Sequence, residues 1–590
     1  MIDRKPRLLI SCADERTWRF DRSVLFLGEW CRTFDRKHVW QEMDGIVANP
    51  YGIDFPARES DFIKARNLEV RLFPLLCQTL NQYHQTQQDE RFWNIVLGHW
   101  WRRFIDVILN RVNTLQQCLH NYQVSGMITC ADTDYVFARQ NSSQSVLSFG
   151  EDTWNNALNT FLLKWLYGSE FPIEFLSVQE STCFQDSSQK RNYSLSEWGY
   201  RQIGKAARYL MRDSDAFIIS SYLPRVEAIK LQLALRQCPQ LWTSPQFFCD
   251  TPYDPSLRNI LSEKVSCATS NIVEDAARVL MFKLLPICYL EGFPELIEVV
   301  NSQPWPTNPK FIFTSNNFDT DEVFKLWSAT KSSLGVKYYI GQHGNYGVTR
   351  HTLNPSTEET ISDKFLTWGW DEGLPQHTPA FIFKKAGEKL RPYSCDGGLL
   401  LVELCVGHRI TTWDNYYEFT QYFYEQQSFV SKLESEPRDN LTLRLHAEYK
   451  KTNWSEIERW ASFDSTLKID HGTTPLRRLL QESRLVVHSY DSTGILETLF
   501  SNIPTIAFWQ NDLNHLRDSA KPYYELLIEV GIVHLTPESA ARKVNEVWEN
   551  VDCWWNQDNV QEARLKFCEV YAKKSNDPVR TLKSLFEHKS

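Results

Sequence analysis

The sequence predicts an α/β protein of two lobes facing a cleft, each lobe built on a parallel sheet. Three observations lead there: short apolar runs end in polar or glycine-containing turns, these runs alternate with stretches of helical period, and 590 residues exceed what one hydrophobic core usually serves. The runs LLISCA and VLFLGEW open the first α/β lobe. From about residue 61 to 122 the pattern turns to long amphipathic helices, expected to break at Pro74 and at QTQQDE. GMITCA reads as a strand. The region at about 133–270 reads as an irregular insertion containing one strand–loop–helix passage, AFIISSYLPRVEAIKLQLAL. KFIFTS, KYYIGQHG and KFLTWGW then follow as strands, completing a first lobe over 1–394. In 395–590 the alternation is cleaner: LLLVELC, TLRLHA, LKID, LVVHSY, PTIAFW and IVHL, with helices between them and at the end. That lobe reads as Rossmann-like, a form that gathers its ligands at the carboxyl ends of its strands.

Bulk composition narrows the function. With 64 Lys+Arg against 73 Asp+Glu the net charge is −9, so no global attraction for nucleic acid exists and none is expected as a partner. The 14 cysteines lack the C-x-x-C or His/Cys spacing of a zinc site and read as buried reduced thiols; no metal site and no resident cofactor is expected. LLISCA is too short for a signal peptide. FWNIVLGHWWRRFIDVILN carries Arg102, Arg103 and Asp106 near its middle, where a bilayer makes charge expensive, and reads as a helix of a water-soluble fold. A cytoplasmic location is the expectation.

Four segments carry candidate chemistry. In HSYDSTGILETLF a buried strand runs into a helix whose free N–H groups attract an anion. There Ser489, Ser492 and Thr493 offer hydroxyls, Gly494 permits close backbone approach, and Glu497 is placed to bind a sugar hydroxyl, while helix capping by Asp491 or Ser492 is the structural alternative. In TLRLHAEY, Arg444 and His446 share a strand face at period two; Arg444 suits a phosphate, and a satisfied structural histidine is the plain reading of His446. In QHGNYG, His343 is a candidate general base, with Gln342, Gly344 and Tyr346 forming a cleft loop toward the acceptor. In LGEWC, Glu29 follows an apolar strand; a desolvated Glu29 would be a catalytic carboxyl with a raised pKa, and pairing with Arg32, Arg36 or His38 is its structural alternative. No phosphate-binding P-loop, zinc-protease helix, nucleophile elbow or dinucleotide fingerprint occurs.

Together LFLGEWC, QHGNYG, SDKFLTWGW and HSYDSTGILETLFSNIPTIAFW resemble transferases of bacterial O-antigen and other surface-polysaccharide clusters. More distantly, the second lobe is similar to Kdo transferases and teichoic-acid glycerophosphotransferases, which have the two-lobed GT-B type of fold. The resemblance implies a nucleotide-activated donor, CMP-linked or of another base, a glycan or lipid-linked acceptor, and peripheral contact with the inner membrane. It maps onto Gln342, His343 and Gly344, and onto Ser492, Thr493 and Glu497. His446 is followed by Ala447 where the cytidine-donor relatives carry proline, and Asn345 stands in the glycine turn. Epimerisation or hydrolysis of a nucleotide sugar, and non-catalytic carbohydrate binding, are the rival readings.

Overall fold

The computed structural model describes residues 3–51, 55–131, 134–176, 210–345, 355–389, 393–404, 416–451, 455–509 and 512–587. Its strands form three sheets, and every strand pair described is parallel. The first sheet has the order β3-β2-β1-β4-β5, from β1 (Asp3–Ile10), β2 (Val24–Phe26), β3 (Gly45–Val47), β4 (Tyr122–Thr129) and β5 (Ile173–Phe175). The second runs β10-β9-β8-β7-β6, from β6 (Phe217–Ile219), β7 (Phe311–Thr314), β8 (Lys337–Gly341), β9 (Lys364–Thr367) and β10 (His377–Pro379). The third runs β13-β12-β11-β14-β15-β16, from β11 (Gly398–Val402), β12 (Leu441–Arg444), β13 (Lys468–Asp470), β14 (Ser483–His488), β15 (Thr505–Phe508) and β16 (Val533–His534).

The apolar runs are continuous because parallel strands are covered on both faces: Leu399–Leu401, Leu485–Val487 and Phe311–Phe313 are all at most 2% exposed. Chain order reverses between β1 and β4 in the first sheet and between β11 and β14 in the third. At such reversals the loops leave in opposite directions and a crevice opens at the carboxyl ends of the strands. The second sheet has no reversal.

The stretch read as a single first lobe thus contains two sheets, and AFIISS, placed within an irregular insertion, is the edge strand β6 of the second. The cause of the separation is the helix Glu90–Asn121, which packs against β4 on one side and against the helix Glu322–Ser333 of the second sheet on the other. Both of its faces are buried, so Trp93, Trp100 and Trp101 are almost wholly covered, each contributing on the order of 2–3 kcal/mol of burial. Its mid-helix charges are paired with neighbouring elements: Arg102 with Glu69 and Asp106 with Arg66 of the preceding helix, and Arg103 with Asp319 in the turn after β7. Among the described residues no helix is long and apolar enough to cross a membrane.

Pro74 does not break the preceding helix, which runs unbroken from Phe55 to His84. The carbonyl that Pro74 cannot meet belongs to Val70, which is 74% exposed, so solvent can serve it. The break falls at Gln85, which takes a left-handed φ of 54° and lets Thr86 N donate to Asn81 O. At the other end of the chain, the helix Pro578–Glu587 returns from the third sheet to cover the second. It packs on the helix Arg225–Ala234, and Phe586 stacks against Phe311 and Tyr339.

Candidate active site

The loop leaving β8 and the loop leaving β14 meet where the second and third sheets face one another. Asn345 N donates to Thr493 Oγ1 at 3.3 Å, and Asn345 Nδ2 donates to Asp491 Oδ1 at 3.3 Å. Two segments 148 residues apart, each singled out from sequence alone, therefore share one junction. Glu497, one turn into the helix Thr493–Phe500, lies 3.7 and 3.6 Å from Lys384 and Lys385 of the second-sheet side. Lys384 stands over the Tyr222 ring at 5.2 Å, and Tyr222 stacks on His343. Tyr222 lies in the exit of β6 and holds a left-handed φ of 57°, a conformation that costs a bulky residue energy and aims its ring at His343.

His343 is wedged between Tyr222 and Phe318. Burial lowers its pKa, with the charge of Lys384 acting in the same sense and Asp319 opposing, so the ring is neutral near pH 7. A neutral imidazole at this junction can accept a proton. Tyr346 lies outside the described residues. Gly344 gives its carbonyl to Gln342 Nε2 at 2.8 Å.

Several expected ligand residues are occupied by the fold itself. Gln342 is 1% exposed, and its Oε1 accepts from Trp368 N at 2.7 Å and Trp370 Nε1 at 2.9 Å. It clamps TWGW onto the glycine turn, and its burial keeps the one remaining N–H from a hydroxyl in the cleft. Ser489, also 1% exposed, bonds Val402 O, Gln426 Oε1 and the Tyr422 hydroxyl, so it ties β14 to β11 and cannot meet a phosphate. The Ser492 hydroxyl caps its helix by accepting from Gly494 N at 3.1 Å. Gly494 packs so close to His488 that a Cβ would sit 2.8 Å from its ring. Thr493 faces Asn345.

Arg444 and His446 do not act together. β12 ends at Arg444, whose guanidinium turns back to Asp470 at 3.2 Å and to the carbonyls of Leu445, Gly472 and Thr474, stapling the loop after β13. His446 lies beyond the strand, exposed, with its Nδ1 accepting from Glu448 N. Glu29 takes its structural alternative: its carboxylate grips Arg32, 2.6 Å from Nε, and both side chains are about a quarter exposed. That carboxyl is not desolvated, because LGEWC opens a short 3₁₀ turn that points Glu29 and Arg32 outward together.

The structure adds residues that the sequence reading missed. His515, in the loop after β15, has its Nε2 2.9 Å from Asp491 Oδ2. Asp491 Oδ1 accepts from Tyr524 OH at 3.1 Å as well as from Asn345. An ionised carboxylate only accepts, so Nε2 carries the proton and Nδ1 is left as the basic nitrogen of a side chain that is one-fifth exposed. The signal was the acidic residue at the strand exit, which capping alone did not explain. Glu403, leaving β11 at the chain reversal, accepts from Trp460 Nε1 at 2.7 Å. Burial, reinforced by the charge of Glu456 and opposed by the Trp460 N–H, pushes its pKa up to about 8. Behind the junction Arg517 joins the third sheet to Glu359 at 3.0 Å and Glu372 at 2.7 Å, and His377 Nε2 bonds Glu359 at 2.9 Å.

Parallel sheets whose strand exits meet, with the Asp491–His515 pair beside the meeting, define an α/β protein of several Rossmann-like sheets. The family described as LIC12162 family transferase matches residues 7–586, and the chain belongs to it. Among solved structures it is similar to the spinosyn rhamnosyltransferase SpnG complexed with spinosyn aglycone, at 11% identity over 63% of this chain and 99% of that one, with a TM-score of 0.30. SnogD, a glycosyltransferase from Streptomyces nogalater, is 12% identical over 63% of this chain and 98% of its own, with a TM-score of 0.33. MurG of Acinetobacter baumannii is 10% identical over 63% and 99%, with a TM-score of 0.31. No curated protein matches the chain.

Proposed function

We propose that this transferase moves a sugar or related group from a nucleotide-activated donor to a hydroxyl of a surface-polysaccharide, O-antigen or lipid-linked acceptor. The observation that carries the reading is the meeting of the β14 exit, at the chain reversal of the third sheet, with the β8 exit of the second. A ligand there is held from both sides. The donor phosphate lies against the start of the helix Thr493–Phe500, with Thr493 and Asn345 as donors and Lys384 and Lys385 contributing positive charge.

His515, oriented by Asp491, takes the proton of the acceptor hydroxyl on Nδ1; the acceptor oxygen bonds to the transferred carbon, and the carbon–oxygen bond to the leaving phosphate breaks. Nothing in this scheme uses Arg444, Ser489, Gln342 or Glu29. Thermal unfolding of the full chain with CMP, CDP, UDP, GDP or dTDP tests it. One of these nucleotides is expected to raise the unfolding temperature in a concentration-dependent way. Indifference to all of them would remove the donor site. Steady consumption of a nucleotide sugar with no acceptor present would favour hydrolysis or epimerisation instead.

A further inference from the structure

We propose that Cys12 and Cys130 form an oxidisable dithiol at the chain reversal of the first sheet, where a hydroperoxide converts them to a disulfide. β1 and β4 are parallel neighbours with Leu8 opposite Gly126 and Leu9 opposite Met127. Carrying that register three residues past Leu9 sets Cys12 opposite Cys130. Neighbouring strands lie roughly 4.8 Å apart, within the roughly 4.4–6.8 Å between Cα atoms that a disulfide spans.

The two exits stay together beyond the strands because Asn156 ties them. Its Nδ2 donates to Ser11 Oγ and Ile128 O at 3.0 Å each, and its Oδ1 accepts from Cys130 N at 2.8 Å. Cys12 is buried while Cys130 is part-exposed, so a small oxidant reaches Cys130 first. The Cys130 thiol itself donates to Asn156 Oδ1 at 3.3 Å, which holds it at the junction of the two exits. The neighbouring Cys12 thiol is the chief influence lowering the Cys130 pKa, against burial and with help from Thr153 and Arg16, while Cys130 and burial raise that of Cys12. Cys130 is the better nucleophile.

In the first step the Cys130 thiolate attacks one oxygen of the peroxide; the O–O bond breaks, leaving a Cys130 sulfenic acid and, after proton uptake, water. Cys12 then gives up its proton and attacks the sulfenic sulfur, forming the S–S bond and releasing the second oxygen as water. Two thiols lose two electrons in all, and one hydrogen peroxide becomes two waters. In a reducing compartment such a bond is transient and acts as a sensor. The loop after β1, with Ala13 and Asp14 next to Cys12, would be pinned to the β4 exit while it lasts.

The test is peptide mass mapping of the folded full chain treated with equimolar hydrogen peroxide. A cross-linked Cys12–Cys130 peptide pair, two hydrogens lighter than the sum and restored by dithiothreitol, is the expected product. In Cys12→Ser, Cys130 should stop at the sulfenic acid and be trapped by dimedone; in Cys130→Ser, Cys12 should stay reduced. The wild-type map decides the matter without either variant. Oxidation confined to the exposed Cys267, Cys395 and Cys553, or sulfinic acid on Cys130 beside a reduced Cys12, would overturn the proposal.

Discussion

The exits of β14 and β12 look alike as sequence, each an apolar strand running into polar residues that include a histidine or a nearby one, yet they end in different places. β14 borders the chain reversal of the third sheet, and its exit reaches across to Asn345 of the second. β12 is one strand removed from the reversal, and Arg444 spends its guanidinium on Asp470 and on loop carbonyls of its own sheet. An arginine at the carboxyl end of a strand is thus no better a phosphate ligand than its surroundings leave it free to be. Position relative to the reversal, more than residue type, separates an exit that staples its own sheet from one that reaches the neighbouring sheet.

The largest effect that sharpens this contrast is on stability. Arg517 and Glu359 are 2% and 1% exposed and hold together the sheets on whose facing edges the β14 exit depends. Arg517→Ala leaves Glu359 buried without its charge partner and should cost about 3–5 kcal/mol in chemical unfolding. An equal loss from Arg444→Met would erase the distinction. The pH dependence follows from the same group. Burial pushes the Glu359 carboxyl up, but the His377 bond and the Arg517 charge outweigh it and bring the pKa to about 2, below the ordinary 4.5. Its contribution is therefore complete above pH 4.5 and is lost as the pH falls toward 2. Glu359→Gln should flatten that part of the stability profile.

Turnover gives the next effect. His515→Ala should lower it by about 100-fold or more with the fold intact, the usual share of a general base. His446→Ala, at the β12 exit, should leave turnover within a factor of about two, as expected of an exposed side chain away from the junction. Equal losses in the two variants would make the β12 exit part of the site after all. The smallest effect is at the cap: Ser492→Ala removes the bond to Gly494 N and should cost about 1 kcal/mol of stability, measured by urea titration.

What was legible in the sequence was local. Runs such as LLLV, LVVH and FIFT announce buried parallel strands, and β14 with its helix was placed to within a residue or two. The three-residue strands β3, β5 and β10 are largely half-buried or exposed, so they lack the apolar run that marks the equally short β2 and β6. At the junction, the two loops were legible, but their meeting was not, because no local pattern encodes a contact between residues 345 and 493. For the same reason Glu29 looked desolvated beside Trp30 and Cys31, although the 3₁₀ turn buries those two and turns the carboxylate outward to Arg32. Ser489 read as a free hydroxyl because Tyr422 and Gln426, which claim it, lie more than sixty residues away.

The most direct measurement is isothermal titration of whichever of CMP, CDP, UDP, GDP or dTDP stabilises the chain, comparing wild type with Asn345→Ala and Thr493→Val. Asn345 and Thr493 belong to opposite sides of the junction, so both substitutions should weaken binding roughly tenfold, each removing about 1–1.5 kcal/mol of hydrogen bonding. Wild-type affinity in both variants, each still folded, would contradict a donor held between the two strand edges.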